Sequence, residues 1–146
     1  METIIKNILL VDDSANDVTL IKAALKDAHL GNEIIVAEDG EQAIDFLYRK
    51  GKYAGYEGEK PILILLDIKM PFMDGIEVLK VIRADAAFNP VPVVMLTSTR
   101  DTNDLQECYN NGANSFVVKP VNINDFLGVV KDLGQYWAVI NELPGL

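Results

Sequence analysis

Five consecutive large apolar residues, Ile62 to Leu66, run directly into Asp67 in the stretch ILILLDIKMPFMDG. An unbroken apolar run of this length reads as a strand covered on both faces, which implies a parallel sheet between layers of helices. The pattern recurs. ILLVDD (Ile8 to Asp13), VVMLTS (Val93 to Ser98) and FVVKP (Phe116 to Pro120) are further apolar runs that end in polar side chains, and EIIVAE (Glu33 to Glu38) is a weaker fifth. Between them lie apolar residues at helical spacing: Val18, Ile21, Leu25 and Ala28; Ala43, Ile44, Leu47 and Tyr48; Val78, Leu79 and Ile82; Leu105, Cys108 and Tyr109. In the last segment Phe126, Val129, Val130, Leu133, Tyr136, Trp137 and Ile140 fall within an arc of about 120°, behind a capping pair at Asn122 and Asp125. Strand and helix thus alternate five times. A chain so patterned predicts an α/β fold, a doubly wound five-stranded parallel sheet with helices on both faces, right-handed crossovers and an extended C-terminal helix. Asp39-Gly40 and Asp74-Gly75 read as turns or helix entries, and Arg49 to Pro61 as a Gly-rich surface loop before the third strand.

The 146 residues, 49% hydrophobic and 24% charged, suit one domain with one core. A formal net charge of −9 disfavours a nonspecific grip on nucleic acid or an anionic membrane. A single cysteine, Cys108, excludes an internal disulfide framework, and the lone His29 leaves no Cys/His cluster for zinc. Residues 1 to 7 lack the apolar stretch of a secretion signal and no run approaches membrane-spanning length, so a cytoplasmic protein is expected.

In open α/β sheets, ligands bind outside the carboxyl ends of the strands. Four of the apolar runs end there in Asp12 and Asp13, in Asp67, in Thr97 and Ser98, and in Lys119. Singly, each has an ordinary reading: the acids as caps, Thr97 as a strand-end hydroxyl, Lys119 as a solvated charge, Phe116 as a core aromatic, and Cys108 as a small buried hydrophobe. Together, three carboxylates, a hydroxyl and an ammonium suit a divalent cation beside a phosphoryl group. Mg2+ takes oxygen ligands, often one or two carboxylates plus substrate phosphate, and Asp12, Asp13 and Asp67 can supply them. A carboxylate can also attack phosphorus and carry the group as an acyl phosphate, with Lys119 and Thr97 placed to stabilise its charge.

The acid pair Asp12-Asp13, the segment LLDIKMPFMDG with Asp67, Pro71 and Gly75, Thr97 thirty residues after Asp67, and Lys119-Pro120 together resemble the receiver domains of two-component response regulators, a flavodoxin-like fold. The resemblance covers the chain to about residue 134, leaving 135–146 as a C-terminal extension without an output domain. It implies that Asp67 accepts phosphate from a histidine kinase or a phosphotransfer protein, and that Asp13, Asp67 and the backbone carbonyl of Lys69 bind magnesium, with Asp12 acting mostly through water. It implies, too, that Lys119 contacts the phosphoryl group, that Thr97 moves toward it and Phe116 turns inward, and that Lys119-Pro120 is cis. Phe116 departs from the tyrosine of many relatives, so a switch here works by packing. Lys69 and Thr99 stand where the family tunes its phosphate lifetime. The tail and the Arg49 to Pro61 loop are similar to stand-alone regulators that partner bacterial phytochrome kinases. The stripe through Tyr136, Trp137 and Ile140 outruns its own sheet, which predicts a homodimer through the last helix and the adjacent fourth-helix and fifth-strand face.

Rival readings are weaker. A haloacid-dehalogenase-like phosphatase normally has a second Asp two residues after the nucleophile, where this chain has Lys69, and neither GxxxxGK[ST] nor GxGxxG is present for a nucleotide. A receiver acting as a phosphorylation-independent interaction module would not need Asp67, Thr97 and Lys119 intact.

Overall fold

The computed structural model describes residues 7–27, 32–98 and 102–132. Five parallel strands, β1 (Asn7–Val11), β2 (Glu33–Ala37), β3 (Leu63–Asp67), β4 (Val93–Thr97) and β5 (Ser115–Val118), form one sheet in the order β2-β1-β3-β4-β5. The helices are α1 (Ala15–Asp27), α2 (Gly40–Tyr48), α3 (Gly75–Ala84), α4 (Thr102–Asn110) and α5 (Ile123–Asp132). This is the doubly wound fold that the alternation predicts.

The central strands are apolar without a break because the sheet has two cores. Leu9, Val11, Ile64, Leu66, Val93 and Met95 point into the layer that holds α2, α3 and α4. Their neighbours Ile8, Leu10, Leu63, Leu65, Val94 and Leu96 point the other way, into the layer that holds α1 and α5. Side chains alternate sides along a strand, so two apolar layers require both sets to be apolar. Register runs straight across the sheet: Leu10 pairs with Val36 and Leu65, and Leu65 with Val94.

Helix entries follow the expected chemistry. Asp39 accepts from the Gln42 N–H and Asp74 from the Glu77 N–H, capping α2 and α3. Asn122 Oδ1 accepts from the backbone of Asn124 and Asp125, as the capping pair suggests.

Two expectations need correction. The buried face of α2 carries Gly40, Ala43, Phe46 and Leu47, whereas Tyr48 is exposed and Ile44 only half-buried. The Arg49 to Pro61 segment, exposed along most of its length as a surface loop is, also packs on α2. It makes a 3-10 turn at Gly51–Tyr53 and brings Tyr53 and Tyr56 against the Phe46 ring, with centroids 5.2 and 5.1 Å away. The Arg49 guanidinium stacks on Phe46 and Tyr56, and the Tyr53 and Tyr56 hydroxyls reach the Val36 carbonyl and Asn7 side chain. In α4, likewise, Cys108 is buried but Tyr109 is exposed, its ring in an edge-type pair with half-buried Phe116, centroids 6.3 Å apart. Ala28, His29, Thr99, Leu133, Tyr136, Trp137 and Ile140 lie outside the described residues. No helix among those described is long and apolar enough to cross a membrane.

Candidate phosphoacceptor and metal site

The strand order reverses between β1 and β3, so the helices that follow these two strands leave on opposite faces and open a crevice at their carboxyl ends. Asp12 and Asp13 follow β1 directly, and Asp67 is the last residue of β3, the middle strand. Carboxylate oxygens of the three lie within 4.8 Å of one another. Asp12 and Asp67 are buried and Asp13 is exposed at the mouth.

Backbone contacts hold these ends in place. The Asp12 N–H donates to the Ala37 carbonyl at 3.1 Å, and its Oδ1 accepts from the Ser14 N–H at 2.9 Å, where the chain turns into α1. After Asp67, the Ile68 N–H reaches the Leu96 carbonyl at 3.1 Å, and the Gly75 N–H returns to the Ile68 carbonyl at 2.9 Å. Gly75 has a steric reason: a Cβ there would come within 2.1 Å of the Asp67 carbonyl oxygen. The loop Ile68 to Asp74 is thus folded tightly against the backbone of the acid itself. Pairing of β3 with β4 sets Asp67 opposite Leu96, leaving buried Thr97 one step beyond. The Lys119 N–H donates to the Thr97 carbonyl at 2.8 Å, and Lys119-Pro120 is cis.

The Lys119 side chain crosses into the cluster. Its Nζ lies 2.7 Å from Asp12 Oδ2, 3.0 Å from Asp17 Oδ2 and 3.4 Å from Asp67 Oδ2. Asp17, in the first turn of α1, is the member that the sequence reading missed. It sits three residues after Ser14, whose Oγ accepts its N–H, and a helix that starts at the carboxyl end of β1 presents its first turn to the same edge. The Lys69 side chain leaves the cluster and pairs with Asp104 of α4 at 3.3 Å.

Electrostatics follow from four acids around one base. Burial raises the Asp67 carboxyl to about 7; Asp12 and Asp13 add to the rise and Lys119 opposes it. Burial pulls the Lys119 ammonium down, but its hydrogen bonds to Asp12 and Asp17 and the charges of Asp67 and Asp12 outweigh that and hold it above the ordinary lysine range. The donor set is all oxygen with excess negative charge, which fits a hard divalent cation.

A model of the response regulator receiver domain matches residues 8–131. The chain belongs to this family. Response regulator Rcp1 of Synechocystis sp. is 34% identical over 139 residues, covering 95% of this chain and 93% of Rcp1. Among solved structures, the bacteriophytochrome response regulator RtBRR superposes with a TM-score of 0.85 at 43% identity, over 97% of this chain and 86% of its own. The phosphorylated cyanobacterial phytochrome response regulator RcpA gives 0.75 at 33%, over 92% and 94%, and the Mn(2+)-bound form of Rcp1 gives 0.73 at 35%, over 90% and 94%. The chain is a receiver-domain response regulator with phytochrome-linked relatives, and receivers bind Mg2+ or Mn2+ at an acidic pocket of this kind.

Proposed function

We propose that this response regulator accepts a phosphoryl group on Asp67, in a Mg2+-dependent reaction, from a histidine kinase or a phosphotransfer protein, and signals through protein contacts. The observation that carries this reading is Asp67 itself: a 6% exposed acid at the end of the middle strand, with Asp12, Asp13 and Lys119 around it. A carboxylate so buried has no packing role that an apolar residue would not fill better.

In the proposed step an Asp67 carboxylate oxygen forms a bond to phosphorus. The bond from phosphorus to the donor breaks, and the leaving group keeps the electron pair and takes up a proton. Asp13, Asp67 and the Lys69 carbonyl would hold Mg2+, with Asp12 acting through water; the bound ion would offset the charge of the acids and of the transferring group. Lys119 donates to the phosphoryl oxygens. The Thr97 hydroxyl, one residue along β4, offers a second donor, and its movement toward the phosphate would open space for the half-buried Phe116 ring to turn inward. A chain that only receives and loses the group is a signalling element rather than a turnover enzyme.

Two finer readings belong with this. A phytochrome is the proposed sensor, supported by the phytochrome-linked relatives. A homodimer through α4, β5 and α5 is supported by exposed Tyr109 and by a groove of about 420 Å³ at the β5 edge, whose lining joins Phe116, Val118 and Val129 to the polar Asn124, Asp125 and Asp132.

Incubation with acetyl phosphate and Mg2+, followed by intact-mass measurement, tests the function. One hydroxylamine-labile phosphoryl group should appear, and EDTA should prevent it. Equal uptake by Asp67→Asn would sink the assignment.

A further inference from the structure

Lysine has three N–H donors and no acceptor. Lys119 is ion-paired with three carboxylates at 2.7 to 3.4 Å and hydrogen-bonds Asp17 Oδ2 at 3.0 Å. If the receiver reading above holds, a phosphoryl group on Asp67 adds further oxygens that compete for the same donors. The exposures of the three acids decide which of them can yield. The Asp12 side chain is 0% and that of Asp67 9% exposed, so either would be left buried with an uncompensated charge. The Asp17 side chain is 34% exposed, so water can take over from the lysine.

We infer that Asp17 is a positioning residue that draws Lys119 toward α1 and competes with the phosphoryl group for its ammonium. An acid in the first turn of a helix ordinarily serves its own N-terminus. Here Ser14 accepts the Asp17 N–H at 3.2 Å, while Asp17 Oδ2 faces a lysine 102 residues further along the chain. The pair ties the start of α1 to the loop after β5, so loading of Asp67 is coupled to release of that tie. Asp17 also adds a negative charge beside the place where a phosphoryl dianion would sit. Both effects oppose phosphorylation. The acid therefore lowers the occupancy of the phosphorylated form without being a ligand of it.

The test uses the full chain and beryllofluoride as the phosphoryl mimic, titrated by 19F NMR at saturating Mg2+, with Mg2+ affinity measured separately for each variant. Asp17→Ala should bind the mimic about five-fold more tightly, the equivalent of about 1 kcal/mol at 1.4 kcal/mol per tenfold. Asp17→Asn, which keeps an acceptor but loses the charge, should fall between Asp17→Ala and wild type. In a Lys119→Met background the gain from Asp17→Ala should shrink to less than half, because only the direct charge effect remains once the ammonium is gone. Unchanged or weaker binding in both Asp17 variants would overturn the inference, as would the same tightening without Lys119. A wild type that binds no beryllofluoride would instead remove the receiver reading, and this inference with it.

Discussion

At Asp67 the proposed role and the burial pull in opposite directions: a phosphoacceptor would have to be reachable by its donor, yet the side chain is 9% exposed and lies between buried Asp12 and exposed Asp13. The consequence is measurable without any kinase. The folded carboxyl keeps its proton to about pH 7, whereas an unfolded aspartate releases it near ~3.9. Between those values the native state binds the extra proton, so in metal-free buffer the contribution of this group to stability is fully present below about pH 4 and is lost as pH rises through about 7. Asp67→Asn loses no proton. In denaturant melts it should therefore be more stable than wild type at pH 8, with the gap closing toward pH 4 at no more than about 1.4 kcal/mol per pH unit. A gap that is flat or widens toward acid would contradict the assignment. Asp13 acts at the same site from the surface. Asp13→Asn should gain up to about 1 kcal/mol in metal-free buffer, less than a buried acid would because solvent screens it, and should lose most of the stabilisation that Mg2+ gives wild type. Asp12, Asp13, Asp67, Thr97 and Lys119 were legible in the sequence because each ends an apolar run. Asp17 was not, since a first-turn acid is the ordinary companion of any helix start and only the fold brings Lys119 to it.

Among the helices and loops, two glycines separate conformational need from accident. Gly75→Ala would drive a methyl into the Asp67 carbonyl and should cost about 3 kcal/mol or more, with reduced phosphoryl uptake because the acid's own backbone moves. Gly128→Ala, inside α5 with open space around the added methyl, should stabilise by about 0.5 to 1 kcal/mol. Thermal or denaturant melts of the two variants side by side distinguish these outcomes. The same scale explains where helical periodicity failed. Val78, Leu79 and Ile82 of α3 are all buried, as their spacing predicts. In α2, Phe46 is covered jointly by the core and by Tyr53 and Tyr56, a packing partner that no repeat of 3.6 residues announces. Phe46→Ala should accordingly cost about 3 to 5 kcal/mol, and Tyr48→Ala clearly less, although both are aromatic residues of one helix.

For the whole molecule, the sheet order places the first and third strand ends side by side and carries the fifth to the far edge, so a lysine on the β5 loop must reach back across β4 to join the acids. Fold class and strand count were legible because two-sided burial leaves a signature in every central strand. The tie between α1 and the β5 loop was not, because it depends on side chains meeting across the crevice. The same geometry underlies the proposal that the acid at the end of the middle strand carries the phosphoryl group. The most direct measurement is to load the full chain with acetyl phosphate and Mg2+, reduce the acyl phosphate with borohydride, and map the peptides by mass spectrometry. Conversion of Asp67 to homoserine, absent when EDTA replaces Mg2+, is the expected result. Conversion at Asp12 or Asp13 instead, or none at any acid of the cluster while intact protein still gains phosphate, would contradict it.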